Sequence, residues 1–244
     1  MLELPEKLEH LRETITATLR STNVLHYTAT STKPWESKLG GCPYLTSESD
    51  YPRDEYGEPM LFLAQINLSE MPPLPSFPTK GLLQFYIVND EFYGLEQPCK
   101  VIYLEHYETD EEKLLRENPY QRRIRKHLPF KKECRITFES TVMPPTTDEP
   151  LFAELRRELD REERKALTAF CEGSGSRVGG YPYFIQGPVW VYESGEKRIL
   201  LLQLDCDDES GLMFGDGGNC QFLIAEEDLK NKDFSDVAYD WACD

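Results

Sequence analysis

The chain has 244 residues, 39% hydrophobic and 29% charged, enough for a substantial core in one large domain or two small ones. Its 44 acidic against 27 basic residues leave a formal net charge of −17, which argues against nucleic acid, because neutralising phosphates needs clustered Lys and Arg. That charge favours solubility and a basic protein as partner.

The opening stretch MLELPEKLEHLRETITATLR has no basic start and no continuous apolar run, so it does not read as a signal peptide. Apolar runs such as residues 199–202 are too short to span a bilayer. The expectation is a soluble cytoplasmic protein without a membrane segment. Its seven cysteines (Cys42, Cys99, Cys134, Cys171, Cys206, Cys220 and Cys243) are odd in number, scattered, and without a Cys-x-x-Cys pair. They read as reduced thiols rather than disulfides or zinc ligands.

Leu4, Leu8, Leu11, Ile15 and Leu19 recur at helical spacing and predict an amphipathic first helix. An extended segment, NVLHYTATSTKPW, follows. KLGGCPYL, from Lys38, leads through an acidic loop to the strand MLFLAQINL, a proline-rich crossing, and the strands LLQFYIVND and CKVIYLEHY. A short helix is expected at DEEKLLREN, stopped by Pro119. The basic tract over residues 122–135 comes next and reads as compensation for acidic neighbours such as the following helix, the alternative being a site for an acidic partner or anion. Then come the strand RITFEST and a helix expected over residues 148–172, capped at Thr147 or Asp148 with Pro150 in its first turn. RVGGYPYF, from Arg177, opens the last part, with strands RILLLQLD and NCQFLIA and a helical or turn-like tail ending YDWACD.

RVGGYPYF repeats the pattern of KLGGCPYL, and the repeat extends further. Lys38 matches Arg177, Gln65 matches Gln203, and Gln84 matches Gln221, in the same order and at nearly constant spacing. This predicts internal duplication, with repeats over approximately 35–108 and 174–240 in one domain spanning 1–244. The fold class expected is α+β, mostly antiparallel β, with pseudo-twofold halves, an N-terminal helix and a long central helix. Strict alternation would put Leu61, Leu63, Gln65 and Asn67 on one face and Phe62, Ala64, Ile66 and Leu68 on the other. The second copy would split Ile199, Leu201, Gln203 and Asp205 from Leu200, Leu202, Leu204 and Cys206.

The glutamines admit two readings, a buried amide network tying the halves together or the polar floor of a cleft between them. The Gly-Gly-x-Pro-Tyr motif reads as a chain-turning corner, since Gly permits positive φ and Pro fixes the next φ. The alternative is a glycine loop that touches a ligand.

These blocks, together with LLLQLDCDDE, FGDGGNCQFLI and the terminal YDWACD, resemble the YwqG-like family, a bacterial domain family of unknown function. The resemblance covers the chain from about Trp35 to its end. It implies a cytosolic bacterial protein with a β-rich, duplicated α+β fold and supplies no activity. The family's occurrence near toxin–immunity loci makes a toxin-neutralising role one of its implications.

Candidate ligand-binding residues are Gln65, Gln203 and Asp205 as a cleft floor, with Asp216 and Arg177 at its rim. Asp205, Asp207, Glu209 and Asp216 supply oxygen ligands in a loop that a hard cation could use. The loop departs from an EF-hand, with Ser210 where Gly is required and no bidentate Glu. GSGSRVGG lacks the dinucleotide spacing, no Gly-Lys-Ser/Thr or Gly-x-Ser-x-Gly occurs, and His10, His26, His106 and His127 fall in no catalytic motif. No catalytic residue and no cofactor are therefore expected. The function expected is a non-enzymatic binding protein of adaptor or immunity type, and the alternative is a small-ligand binder or enzyme using the cleft between the halves, with or without a metal.

Overall fold

The structure, a computed structural model, describes residues 3–124, 128–187 and 198–243. Its frame is a ten-stranded sheet in which every described neighbouring pair is antiparallel. In chain order the strands are β1 (Arg20–Ala29), β2 (Lys38–Leu39), β3 (Leu61–Asn67), β4 (Leu82–Ile87), β5 (Lys100–Leu104), β6 (Cys134–Met143), β7 (Arg177–Gly179), β8 (Arg198–Leu204), β9 (Asn219–Ala225) and β10 (Val237–Ala242). Their order across the sheet is β10-β9-β8-β7-β1-β6-β2-β3-β4-β5.

The two ten-residue strands β1 and β6 form the middle, in register from Arg20 opposite Met143 to Ala29 opposite Cys134. Outward from β1 run β7, β8, β9 and β10, and outward from β6 run β2, β3, β4 and β5. Each long strand pairs on its outer side with the short strand that begins its own series, Val24 opposite Arg177 and Arg135 opposite Lys38. The sheet curls until its ends approach, nearly closing a barrel. Phe85 of β4 meets Phe222 of β9 with ring centroids 5.0 Å apart, and Tyr103 beside β5's end lies 5.4 Å from Phe234. The main apolar core fills the inside of this curl.

β3 and β4 are buried along their whole length, which suits continuous apolar runs closed in on both faces. The strict alternation expected for β3 and β8 does not hold. Pairing shifts between Phe62 and Ala64, and at the matching place between Leu200 and Leu202. The irregularity inserts one extra residue and reverses the phase. Leu61 therefore joins Ala64 and Ile66 in the inner core, while Phe62 packs in a second cluster outside the sheet with Met60 and Tyr86. Leu202 and Leu204 point inward in the same way, and Leu200 joins an outer cluster with Phe184 and Leu223.

Three helical expectations need correction. The first helix is a 3-10 segment, Glu6–Leu11, followed by α1 (Arg12–Thr18). The helix expected over 148–172 is two helices, α3 (Pro150–Arg156) and α4 (Arg161–Phe170), after the short α2 (Gln121–Ile124). The break lies at Asp160, whose carboxylate accepts hydrogen bonds from the Glu162 and Glu163 N–H groups while Glu163 answers to the Asp160 N–H at 2.8 Å. A reciprocal capping box starts a new helix at that point. Leu159 and Leu167 nevertheless share one apolar cluster with Leu8 and Ile15, so a single stripe runs across the break. Asp148, expected as a cap, accepts from the Phe184 N–H at 2.9 Å instead, and Pro150 does occupy the first turn. The tail is helical over α5 (Glu226–Asn231) as expected, but its end is the edge strand β10 rather than a helix or turn. The stretch expected to continue from RVGGYPYF falls partly outside the described residues.

Candidate functional site

Gln65 and Gln203 have no exposed surface, and backbone groups take up their amides. The Gln65 Oε1 accepts from the Tyr44 N–H at 2.9 Å and its Nε2 donates to the carbonyls of Pro34 and Glu36. Gln84 Nε2 donates to the Tyr44 carbonyl at 2.8 Å and to Gln65 Oε1 at 3.0 Å. The second corner repeats the wiring. Gln203 Oε1 accepts from the Tyr183 N–H at 2.9 Å, its Nε2 donates to the carbonyls of Gly173 and Gly175, and Gln221 Nε2 donates to the Tyr183 carbonyl at 2.6 Å. Each glutamine pair thus pins the tyrosine of its own Gly-Gly-x-Pro-Tyr corner, and the described bonds do not cross from one series of strands to the other.

The basic residue before each Gly-Gly is also internal. Lys38 is 1% exposed, and its ammonium donates to the carbonyls of Lys33 and Cys42 at 2.6 and 3.1 Å. Burial lowers its pKa to about 8, against the attraction of Glu133, Cys42 and Glu36. Arg177, 6% exposed, donates to the carbonyls of Gly173, Ser174 and Gly175. Burial lowers its pKa to about 10, with Asp205 opposing the shift. Both cations gather the loop behind their own corner. The glycines are there for shape, since Gly40 and Gly41 have φ of 66° and 73°, and a Cβ on Gly40 would stand 2.4 Å from the Phe130 ring.

Asp205 accepts from the N–H groups of Gly175 and Cys206, Asp207 from the N–H and hydroxyl of Ser210, and Glu209 from the Ala29 N–H. Asp216 is exposed on the loop. Among the described residues no three His, Cys, Asp or Glu side chains converge as a metal requires. In the basic tract, Arg135 grips Glu70 through two bonds of 2.8 and 2.9 Å and Arg123 meets Glu58 at 3.2 Å. Their described partners therefore lie in loops beside β3 and not on the helix expected to need them. Arg125, Lys126 and His127 lie outside the described residues.

A cleft of about 640 Å³ lies elsewhere, along the free edge of β5. Among the described residues β5 pairs with β4 on one side only. Val101 packs into the inner core while Ile102 packs with the outer cluster, so the cleft wraps the edge and meets both faces. Tyr56, 82% exposed, and the carboxylates of Asp54 and Glu55 stand on its outer wall; Lys232 and Phe234 stand on the other. Cys99 lies at the head of β5, where its thiol donates to the Val237 carbonyl at 3.2 Å and burial pushes its pKa up to about 12. The sulfur there is protonated and hydrogen-bonded, the opposite of an activated nucleophile.

None of the sequence-derived candidates lines this cleft. Its residues come from the acidic loop before β3, from β5 and from the turn after α5, separated by more than a hundred positions. The one local signal was Tyr56, an aromatic residue in the otherwise polar loop RDEYGEP.

A family model described as a domain of unknown function (DUF1963) matches residues 37–243. The chain belongs to this family. The DUF1963 match begins one residue before Lys38 and takes in both Gly-Gly-x-Pro-Tyr corners and nine of the ten strands, from β2 to β10. The central strand β1 lies before it. A search of curated proteins returned no match. No described helix is long and apolar enough to cross a membrane.

Proposed function

We propose that this DUF1963 chain is a protein-binding module of adaptor or immunity type, and that it holds an extended segment of a basic partner against the open edge of β5. The observation that carries this reading is the cleft itself. It follows a strand edge whose alternate main-chain N–H and C=O groups have no neighbouring strand among the described residues, and adding a strand to such an edge is an established mode of peptide recognition. Side-chain contacts would come from Ile102 and Tyr56 on one face and Tyr103 and Phe234 on the other. The net charge of −17 favours a basic partner, while the cleft itself is of mixed sign, with Asp54 and Glu55 alongside Arg53, Lys100 and Lys232. The protonated Cys99 favours binding over covalent catalysis. The resemblance to the YwqG-like family supports the same reading through that family's setting near toxin–immunity loci. The matching corners, irregularities and strand series support an origin by duplication, after which one edge was free to specialise.

A second reading rests on volume. A cleft of about 640 Å³ lies within the range of about 300–1,000 Å³ that small-molecule sites occupy, so a small apolar ligand is the alternative occupant.

A photo-crosslinking amino acid in place of Tyr56, and separately in place of exposed Thr168 on α4, tests the proposal in the full chain. A protein adduct from position 56 alone, weakening between about 50 and 500 mM salt as screening shortens, is the expected result. Equal labelling from both positions, or none from position 56, would sink it.

A further inference from the structure

The two Gly-Gly corners each border a small pocket, and the pair differ in charge. The first, about 330 Å³, lies between Gly40, Gly41 and the segment leading into β6. The second, about 320 Å³, lies between Gly179, Gly180 and the segment leading into β1. Arg135 stands opposite Lys38 as Val24 stands opposite Arg177. Four residues earlier along the chain in each case, Lys131, just before β6, therefore holds the place of Arg20, and Lys132 that of Ser21. Phe62 and Leu200, each beside its strand's irregularity, line the two pockets in the same way.

In the second pocket the single lining cation, Arg20, lies over the Tyr181 ring at 3.9 Å, and the lining carboxylate Glu226 accepts from Ser76 and meets Lys230. The first pocket holds three cations: Arg122, Lys131 and Lys132. Among the described residues none of the three makes an ion pair. Its one carboxylate, Glu133, is already held, with Oε1 accepting from the Thr32 N–H and hydroxyl at 2.9 and 2.6 Å. In a chain with 44 acidic and 27 basic residues, three cations against one carboxylate around one concavity are a local reversal of sign. Beyond about 8 Å at physiological salt distant negative charge is screened, so the potential inside the pocket is set by its three cations, by Glu133 and by the neighbouring acidic loop, whose Ser210 carbonyl accepts from the Lys131 and Lys132 N–H groups.

We infer that this first pocket is an anion site for a small, multiply charged phosphate-class ligand. Two lysine ammonium groups supply point charges and the Arg122 guanidinium a fork that fits two phosphate oxygens. The exposed Gln121 amide adds a neutral donor. The room that Gly40 and Gly41 leave is taken by the Phe130 ring and the Glu133 carboxyl, so the ligand would sit against the three cations and not against the corner. This site is separate from the β5 cleft and does not depend on what occupies it.

Thermal unfolding of the full chain with pyrophosphate or tripolyphosphate, against sodium chloride of equal ionic strength, tests the inference. At about 100-fold excess over the dissociation constant the midpoint should rise by on the order of 5–10 °C, in a saturable way. The double variant Lys131→Gln/Lys132→Gln and the single variant Arg122→Gln should reduce that rise, while Lys100→Gln, in the other cleft, should keep it. All four side chains are exposed, so the variants should fold. No rise beyond the chloride control, or an undiminished rise in the double variant, overturns the assignment.

Discussion

Lys38 shows how much a single residue can be asked to bear. Its side chain is enclosed, and its ammonium bonds only to carbonyls. The groups acting on it are Glu133, Cys42 and Glu36, which favour the charge, and Arg135, which opposes it; desolvation outweighs them all. The pKa falls from its ordinary 10.5 to about 8. Between those two pH values the unfolded chain holds the proton and the folded chain has released it, so stability rises with pH across that window and the burial penalty is felt in full below it. The rise should be on the order of 3 kcal/mol. Urea unfolding of the wild type and of Lys38→Met from pH 7 to pH 10.5 checks this: the wild-type curve should climb relative to the variant, and parallel curves would refute the assignment. Arg177 does the same work with a pKa lowered to about 10, so the second corner responds only near the top of this range and Lys38 dominates below it.

At the scale of elements, local chemistry overrode periodicity in two kinds of place. The apolar stripe of 148–172 has helical spacing throughout, yet Asp160 and Glu163 satisfy each other's backbone N–H groups and start a second helix. Asp160→Ala removes the side-chain acceptor of two N–H groups and should destabilise the α3–α4 layer by about 1 kcal/mol, read as a lower midpoint in urea with an unchanged slope. The sequence already carries this signal as D-x-x-E inside the stripe. The second kind of place is the irregularity in β3 and β8. Alternation was legible in both strands, but their phase was not, because the extra residue is set by pairing with β4 and β9. The tail strand β10 was missed for a related reason: DVAYDWACD is short and its apolar residues are interrupted by Asp240, and it becomes a strand because β9 offers it an edge.

The whole molecule is held by contacts between distant strands. Phe85 and Phe222 occupy matching positions in β4 and β9, and both are fully buried against each other. Phe85→Ala or Phe222→Ala should each cost about 3–5 kcal/mol, and a double-mutant cycle should show coupling of about 0.5–1.5 kcal/mol. Strictly additive losses would mean that the two ends of the sheet do not share one core. The same closure makes the candidate cleft. β5 ends the sheet, and the turn after α5 closes over its inner side through Phe234 and Lys232.

The sequence by itself determined the strands β3, β4, β8 and β9, the two Gly-Gly-x-Pro-Tyr corners and the matched glutamines, because apolar runs, positive-φ glycines and buried amides are constrained residue by residue. Even the choice between a corner and a ligand loop could be framed there, although only the Tyr44 and Tyr183 backbone bonds gave the glutamines their partners. The tertiary structure decided what no local pattern encodes: that β1 pairs with β7 and β6 with β2, that Gln65 and Gln203 close inward, and that the open cleft gathers Tyr56, Ile102 and Phe234 at a sheet edge. Pairing partners and concavities depend on which distant surfaces meet, and the energy that selects them is burial shared between segments rather than a property of either one.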